Sequence, residues 1–378
     1  MKILQIVTYI SPDGAYGGPV RVAINQAKAL TDLGHEVVLA AAAGGFDGPL
    51  PTTFDGFPVR LFPARQLIPR TGFAGLVSPR LATWLPSALK HADVVHVHLA
   101  RDLITLPAAL MTLLFQKALL VQTHGMIDRT EKHLAKPLDA LLTKPVLRMS
   151  KAVLHLTDRE RKDLIEVAGP ALNFRGLPNA VPVPDVPAVE QRQGPATNPE
   201  VLFLARIHER KRPVHFVRAA LRLTSTWPQA RFTLVGPDEG EGDAVRRMIL
   251  EGQRHAPIRW NGPLSPDQTL DRMRNASIYA LPSVDEPFPM SVLEAMALGL
   301  PVIVTDTCGL APMVSQCDGG IVVDSTLGSL TDALEMLLQD PETRTQMGSN
   351  GRLAVQKHCS TDDIGRNLAN TYIQAIKG

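Results

Sequence analysis

Cysteine is scarce in this chain of 378 residues: Cys308, Cys317 and Cys359 are the only three, and they form no CxxC pair. That excludes a disulfide framework and a cysteine-built zinc site, and it fits a reducing compartment. An excess of charge of one sign is also missing. Lys and Arg number 39 against 37 Asp and Glu, a formal net charge of +2. No global field therefore argues for nucleic acid, and any basic surface must be local. Long apolar runs are absent too. The longest, LITLPAALMTLLF over 103–115, is broken by Pro107 and falls short of the ~20 residues a spanning helix needs. The opening MKILQIVTYISPDG carries one lysine and a short apolar run, which suits a first strand better than a signal peptide. The expected location is cytoplasmic, at most peripheral to the inner face of the cell membrane. No GxGxxG fingerprint occurs, which disfavours a nicotinamide-dependent dehydrogenase. No strong Asp-x-Asp metal motif occurs either.

What is present is a rhythm. With 45% hydrophobic and 20% charged residues the composition is that of a soluble globular protein. KILQIVTY (2–9) is a buried-strand run, and PVRVAINQAKALTDLG (19–34) sets Val20, Ala23, Ile24, Ala27 and Leu30 on one helical face. Pro19 suits the first helical position and Gly34 the stop. HEVVLAAA, ADVVHVHL, ALLVQTHG and AVLHLTD continue as strands. Strand, loop, helix, strand in this order predicts a parallel sheet with helices on both faces. At 181–199, VPVPDVPAVEQRQGPATNP is proline-rich and aperiodic, so it is expected to be an extended linker. Then the rhythm restarts: VLFLAR, RFTLVGP, SIYALPS, PVIVTD and GGIVVD are strands, SPDQTLDRMRNA (265–276) is a helix with Pro266 at its first position, and 360–377 is an amphipathic helix. The fold class is α/β, with two doubly wound Rossmann-like domains over 1–180 and 200–359. Such sheets bind ligands beyond the C-terminal ends of their strands, and two facing sheets leave a cleft.

The residues at those strand ends follow. SPDGAYGGP (11–19) ends in Gly17 and Gly18 just before a helix, where a backbone approaches an anion closely; a flexible turn is the ordinary alternative. After VLFLAR, Arg206 and Lys211 flank a strand-to-helix loop. Two fixed cations there suit a diphosphate, although a solvated basic loop, as expected for Arg210 and Arg212, would look the same. GPDEGEG after RFTLV, starting at Gly236, is a tight acidic turn that either brackets a ribose or base or is plain surface, the reading favoured for Asp238 and Glu239. His96 and His98 share one strand face by period two, and His124 precedes Gly125. A strand-end histidine is ordinarily structural; His124, in its glycine-bounded turn, is the better functional candidate.

SVDEPFPMSVLEAMALGLP (283–301) carries Glu286 and Glu294, eight positions apart. A helix from Met290 to Leu298, stopped by Gly299 and Pro301, puts Glu286 ahead of its N-terminus and Glu294 about a turn inside. That suits a nucleotide sugar, with the diphosphate on the free N–H groups and a carboxylate on each side accepting hydroxyls. The bland alternative is two glutamates complementing a helix dipole.

These blocks resemble a known family. Glu-x7-Glu within EPFPMSVLEAMALGLPVIVTD resembles the signature of retaining glycosyltransferases of the GT-B fold, family 4. GGPVRVAINQAKALTDLGHEV, LARIHERK and LVGPDEG are similar to its other blocks, in the same order over nearly the whole chain. The resemblance implies that Glu286 holds donor-sugar hydroxyls, Glu294 the ribose, and Arg206 and Lys211 the diphosphate, assisted by Phe288 and backbone groups near Pro289, Met290 and Ser291. Gly17, Gly18 and Gly236 would line the donor. Glu286, Lys211, Arg206 and His124 would stand at the reaction, with His98, His124 and Arg129 on the acceptor side. It further implies that 360–378 packs back toward the first domain. The donor would be a UDP- or GDP-sugar, with no metal and no further cofactor, the cations and the helix N-terminus stabilising the departing diphosphate. The family's front-face route nominates no protein nucleophile. The chain departs from the family at Pro289, where many members have a glycine and which lacks an N–H, and at Arg212.

Acceptor choice is expected in the first domain. Over 132–151, Lys132, Lys136, Lys144, Arg148 and Lys151 face one acid, Asp139, with Leu134, Leu138, Leu141, Leu142 and Leu147 as apolar surface. Such a segment suits an anionic membrane presenting a lipid-linked acceptor, in polysaccharide, lipopolysaccharide or glycolipid synthesis; helices packed on the sheet with solvated lysines are the alternative. Rival functions are a GT-B epimerase or phosphorylase and a non-catalytic nucleotide-sugar-binding subunit.

Overall fold

A computed structural model of the protein describes residues 1–12, 17–69, 71–130, 135–184, 198–252, 257–265 and 268–378. Lys132, Leu134, Pro266 and most of the expected linker lie outside the described residues.

The chain divides into two units, residues 1–180 with 361–378, and residues 181–360. Unit 1 contains β1 (Lys2–Ile10), β2 (Glu36–Ala43), β3 (Thr53–Phe54), β4 (Phe57–Pro63), β5 (Arg65–Gln66), β6 (Leu76–Val77), β7 (Val94–His98), β8 (Ala118–Gln122), β9 (Ala152–His155) and β10 (Phe174–Gly176). Eight of these form one sheet in the order β10-β9-β8-β7-β1-β2-β4-β3, parallel except for the short antiparallel pair β3–β4 at the edge. Its central strands are buried on both faces, so they are continuous apolar runs rather than alternating ones. One face carries the helices Gly17–Asp32 and Thr361–Lys377. Ile3, Val94, Leu120 and Leu154 of the sheet pack there with Leu368 and Tyr372. Gly365 allows this approach: a Cβ on it would stand 2.9 Å from Ala29 Cβ. The helix Gly17–Asp32 starts two residues earlier than Pro19 suggests, so Gly17 and Gly18 form its first turn rather than a loop before it.

Unit 2 contains β11 (Glu200–Leu204), β12 (Arg231–Val235), β13 (Ile258–Trp260), β14 (Ile278–Leu281), β15 (Val302–Thr305) and β16 (Gly320–Val323), all parallel in the order β13-β12-β11-β14-β15-β16. The order reverses direction beside β11 and β14, the place where doubly wound sheets bind ligands. Residues 181–184, assigned to the linker by composition, already pack on this unit. Val181 is buried and bridges Ser360, and the Pro184 carbonyl accepts from Arg352. The helix expected over 265–276 is the shorter Thr269–Arg274.

The segment over 135–151 is not one amphipathic helix. Ala135–Leu138 and Lys144–Met149 are α-helical, and Asp139–Thr143 between them is a π turn. Pro145 has no N–H for the carbonyl four residues back, so the ladder widens there. Leu138, Leu142 and Leu147 face the core, and among the described leucines named for surface only Leu141 points out, at 72% exposure. Asp139 turns inward, held by both nitrogens of an Arg101 fork at 2.8 and 3.0 Å. No described helix is long and apolar enough to cross a membrane.

Candidate functional site

The site grows from the C-terminal ends of β11, β12 and β14. The chain leaves β11 through Ala205 and Arg206 into a single 3₁₀ turn, Glu209–Lys211, which His208 caps by accepting from the Arg210 N–H at 3.1 Å. Arg212 then adopts a left-handed backbone, φ 55°, and Pro213 opens the next helix. This tight reversal turns Lys211 toward β14, where its Nζ donates to Glu286 Oε2. The pair is largely enclosed, with side chains 13% and 18% exposed. Arg210 and Arg212 are not free solvated cations. Arg210 donates to the Asp285 carbonyl and accepts from Val284 N–H at 2.9 Å, and Arg212 donates to the Ser325 carbonyl. They lock the loops that present Lys211 and Glu286.

Arg206 stands apart from that pair, paired with Glu239 at 2.7 Å on the surface. Glu239 is therefore more than plain turn. Asp238 beside it is structural, accepting from the N–H groups of Gly240 and Gly242. Gly236 must be glycine: its φ is 148°, and a Cβ would fall 1.9 Å from the Ala205 carbonyl oxygen. The ends of β11 and β12 thus touch backbone to backbone just before Arg206.

Helix Met290–Ala297 has Pro289 as its N-cap, buried and with no side-chain cap. The Val292 and Leu293 N–H groups turn back onto the Pro289 carbonyl at 3.1 and 3.3 Å. The N–H groups of Met290 and Ser291 therefore head the helix. Phe288 and Met290 pack their side chains on the unit's core, so only their backbones are left for a ligand. Glu294 is buried, just over a turn inside, as its spacing suggests.

Tyr279 of β14, which no sequence pattern singles out, ties this together. Its hydroxyl bonds the Leu204 carbonyl at 2.9 Å and Ser291 Oγ at 2.7 Å, joining the end of β11 to the head of the helix. Burial pushes its phenol far above the ordinary range, and the Glu294 and Glu286 carboxylates add to that. Cys308 is pushed up to about 11, by burial first and then by Glu286, while Lys211 opposes. The two glutamates, Lys211 and Ser291 thus converge around Tyr279 and Cys308. Chemically the arrangement offers a caged cation, two carboxylates and backbone donors, the equipment for a polyhydroxylated anion.

In unit 1, His124 follows β8 with φ 52°, and Gly125 follows with φ 70°. Glu160 holds this turn, accepting from Thr123 Oγ1 at 2.5 Å, Gly125 N–H at 2.6 Å and Leu156 N–H at 2.6 Å. Thr157-x-x-Glu160 is a legible capping-box pattern, and Thr157 does accept from Glu160 N–H at 3.2 Å. The glutamate side chain nonetheless spends two of its three bonds on the histidine turn. His98, expected on the acceptor side, is 1% exposed and bonds His124 at 2.8 Å. His96 bonds the Tyr372 hydroxyl at 2.8 Å and is structural. Arg129 is exposed, two residues beyond buried Ile127. Among the described residues no group of three or more His, Cys, Asp or Glu is placed to hold a metal ion.

Residues 188–354 match the family Glycosyl transferases group 1, and residues 17–180 match the Glycosyl transferase 4-like domain. A D-inositol 3-phosphate glycosyltransferase of Kineococcus radiotolerans is 31% identical over 229 residues, 53% of this chain and 52% of the relative. The chain matches about half the length of its curated relatives. Among solved structures, Anabaena HepE in complex with UDP aligns with a TM-score of 0.75 at 19% identity, over 98% of this chain and 99% of that one. A glycosyltransferase from Rickettsia africae aligns with a TM-score of 0.77 at 16% identity, over 99% of each. At these identities the likeness is one of fold, two Rossmann-like domains of the GT-B kind.

Proposed function

Because the chain belongs to the group 1 glycosyl transferases, with a 4-like N-terminal domain and the GT-B fold, we propose that it moves a sugar, with retention, from a UDP- or GDP-sugar to a glycan or lipid-linked acceptor. The observation that carries this reading is the enclosed Lys211–Glu286 pair beside the head of helix Met290–Ala297, with Glu294 just inside it. In the reading, the diphosphate takes the Met290 and Ser291 N–H groups and the charges of Lys211 and Arg206. Glu286 accepts from sugar hydroxyls and Glu294 from the ribose. Lys211 and Glu286 neutralise each other until the donor arrives. As the bond to the anomeric carbon breaks, charge accumulates on the leaving phosphate and Lys211 meets it, so the cation is worth most in the transition state. The leaving phosphate takes the acceptor proton on the front face, and no metal is invoked. HepE, of the same fold, is known with UDP, which supports a nucleotide donor. The acceptor side is unit 1, with His124 and Arg129, and the exposed Leu141 and Met149 among cations over 136–151 support peripheral contact with an anionic membrane in glycan or glycolipid assembly.

Nucleotide release from a panel of UDP- and GDP-sugars, with lipid-linked and free glycans as acceptors, tests the proposal. Lys211→Ala should lower kcat by roughly 10²–10³-fold, and Glu294→Ala should mainly weaken nucleotide binding, by about 1–3 kcal/mol. Tight sugar-nucleotide binding without release by the native protein would make it a binding subunit instead.

A further inference from the structure

His98 and His124 form a hydrogen bond in which one ring must donate and the other accept. His98 Nδ1 and His124 Nε2 are 2.8 Å apart and the two rings are within 8° of parallel, so an N–H of one lies close to the plane of the other. Burial drives both histidines toward the neutral form: His124 is lowered to about 3, and His98 well below its ordinary value, with His96 and His124 adding to the effect. A neutral imidazole carries one proton, so the choice made by His98 dictates the choice made by His124.

The surroundings of His98 make that choice. Its Nε2 is buried and has no hydrogen-bond partner among the described residues. A proton there would be a buried N–H with no acceptor, while the Nδ1 lone pair competed for a proton from His124. A proton on Nδ1 instead uses the acceptor within reach among the described residues, His124 Nε2, and leaves only a lone pair unpaired, the less costly orphan. The His96 ring is stacked on that of His98, centroids 4.5 Å apart, and is itself tied to Tyr372, so it offers His98 no in-plane partner.

We infer that His98 is a positioning residue that donates from Nδ1 to His124 Nε2 and thereby fixes the proton of His124 on Nδ1, making His124 a hydrogen-bond donor to the ligand rather than a base. The Glu160 clamp on Thr123 and Gly125 holds the ring in register for this bond. In the reaction, which rests on the function proposed above, His124 would hold a sugar or acceptor oxygen by donation and would not deprotonate the nucleophile. That leaves the proton to the departing phosphate.

Nitrogen-15 NMR of protein labelled at histidine reads the tautomer directly, with the His124 signals identified by their loss in His124→Asn. The native protein should show His124 protonated at Nδ1. His98→Asn keeps a donor near the Nδ1 position and should preserve that pattern. His98→Asp presents an acceptor and should move the His124 proton to Nε2. A native His124 protonated at Nε2, or a pattern unchanged by His98→Asp in a folded protein, overturns the inference. With the sugar nucleotide found active in the panel, His98→Asn should stay within roughly threefold of native kcat, and His98→Asp should fall by at least about tenfold. If the tautomer moves while turnover does not, His98 has no positioning role. If no sugar nucleotide is turned over, the functional reading fails, and the NMR result alone still decides where the proton sits.

Discussion

At the scale of single residues, the proposed donor site depends on groups buried behind it. Tyr279 contributes one hydroxyl, and that hydroxyl spans two elements, the end of β11 and Ser291 at the head of a helix. Tyr279→Phe keeps the ring and removes the bridge, leaving a buried carbonyl one partner short. Stability should drop by about 1–3 kcal/mol in urea unfolding, and nucleotide affinity by calorimetry should weaken severalfold because Ser291 loses its anchor. A variant that loses stability but binds nucleotide as tightly as the native protein would restrict Tyr279 to the core. The sequence could not disclose this residue: IYAL is a buried strand whichever side chain carries the hydroxyl. Glu286 and Glu294 were legible because their spacing brackets the start of a helix whose stop is marked by Gly299 and Pro301, and Lys211 because a strand ends five residues before it. Their pairing was not legible, since it depends on the left-handed turn at Arg212, a residue type that rarely adopts one. His98 was visible as a strand-end histidine, but which way it faced was not.

At the scale of elements, the stretch over 135–151 shows how a local backbone rule redirects a surface. A continuous helix would have offered a broad apolar stripe. The π turn forced at Pro145 and the Arg101 fork on Asp139 draw most of that stripe and the one acid inward. Leu141 at 72% and Met149 at 62% exposure remain outside with Lys136 and Arg148. A surface of isolated apolar side chains among cations binds an anionic bilayer weakly and through charge, at about 1 kcal/mol per basic residue near the lipid. Co-sedimentation with phosphatidylglycerol vesicles should therefore be strong at low salt, fade at high salt, and weaken in a Lys136→Glu, Arg148→Glu double variant. Absence of binding at low salt would remove the membrane from the proposal. Five strands of each large sheet could be read from apolar runs and glycine and proline signals, while β3, β4, β10 and β13 carried no such run. The boundaries of short elements could not be read, because Gly17, Gly18 and Pro145 take conformations set by their neighbours.

At the scale of the molecule, unit 1 buries His96 and His98 on β7 and half-buries His124 just after β8. Burial lowers all three, His96 and His124 to about 3. A lowered folded value means the unfolded chain binds more protons as acid is added. The stabilisation is thus complete above the unfolded value of ~6.5 and is lost as pH falls from there toward the folded values. Each histidine adds a slope of up to about 1.4 kcal/mol per pH unit. The urea midpoint should fall between about pH 7 and about pH 5, and His96→Gln should flatten that fall. A midpoint that stays level across the interval would mean these rings are not held neutral by the fold.

The helix Thr361–Lys377 leaves unit 2 to complete unit 1, laying Leu368 and Tyr372 over Ile3, Val94 and Leu120. The first domain is therefore discontinuous along the chain, and its two pieces are separated by the whole of the second. During synthesis, residues 1–180 emerge with that sheet face covered only by the helix Gly17–Asp32, and 180 further residues follow before the rest of its cover is made. Unit 2 is the contiguous body and is the first able to close its own core on the ribosome. Unit 1 is the last to be finished, and until then Ile3, Val94 and Leu120 lack the apolar cover of Leu368 and Tyr372.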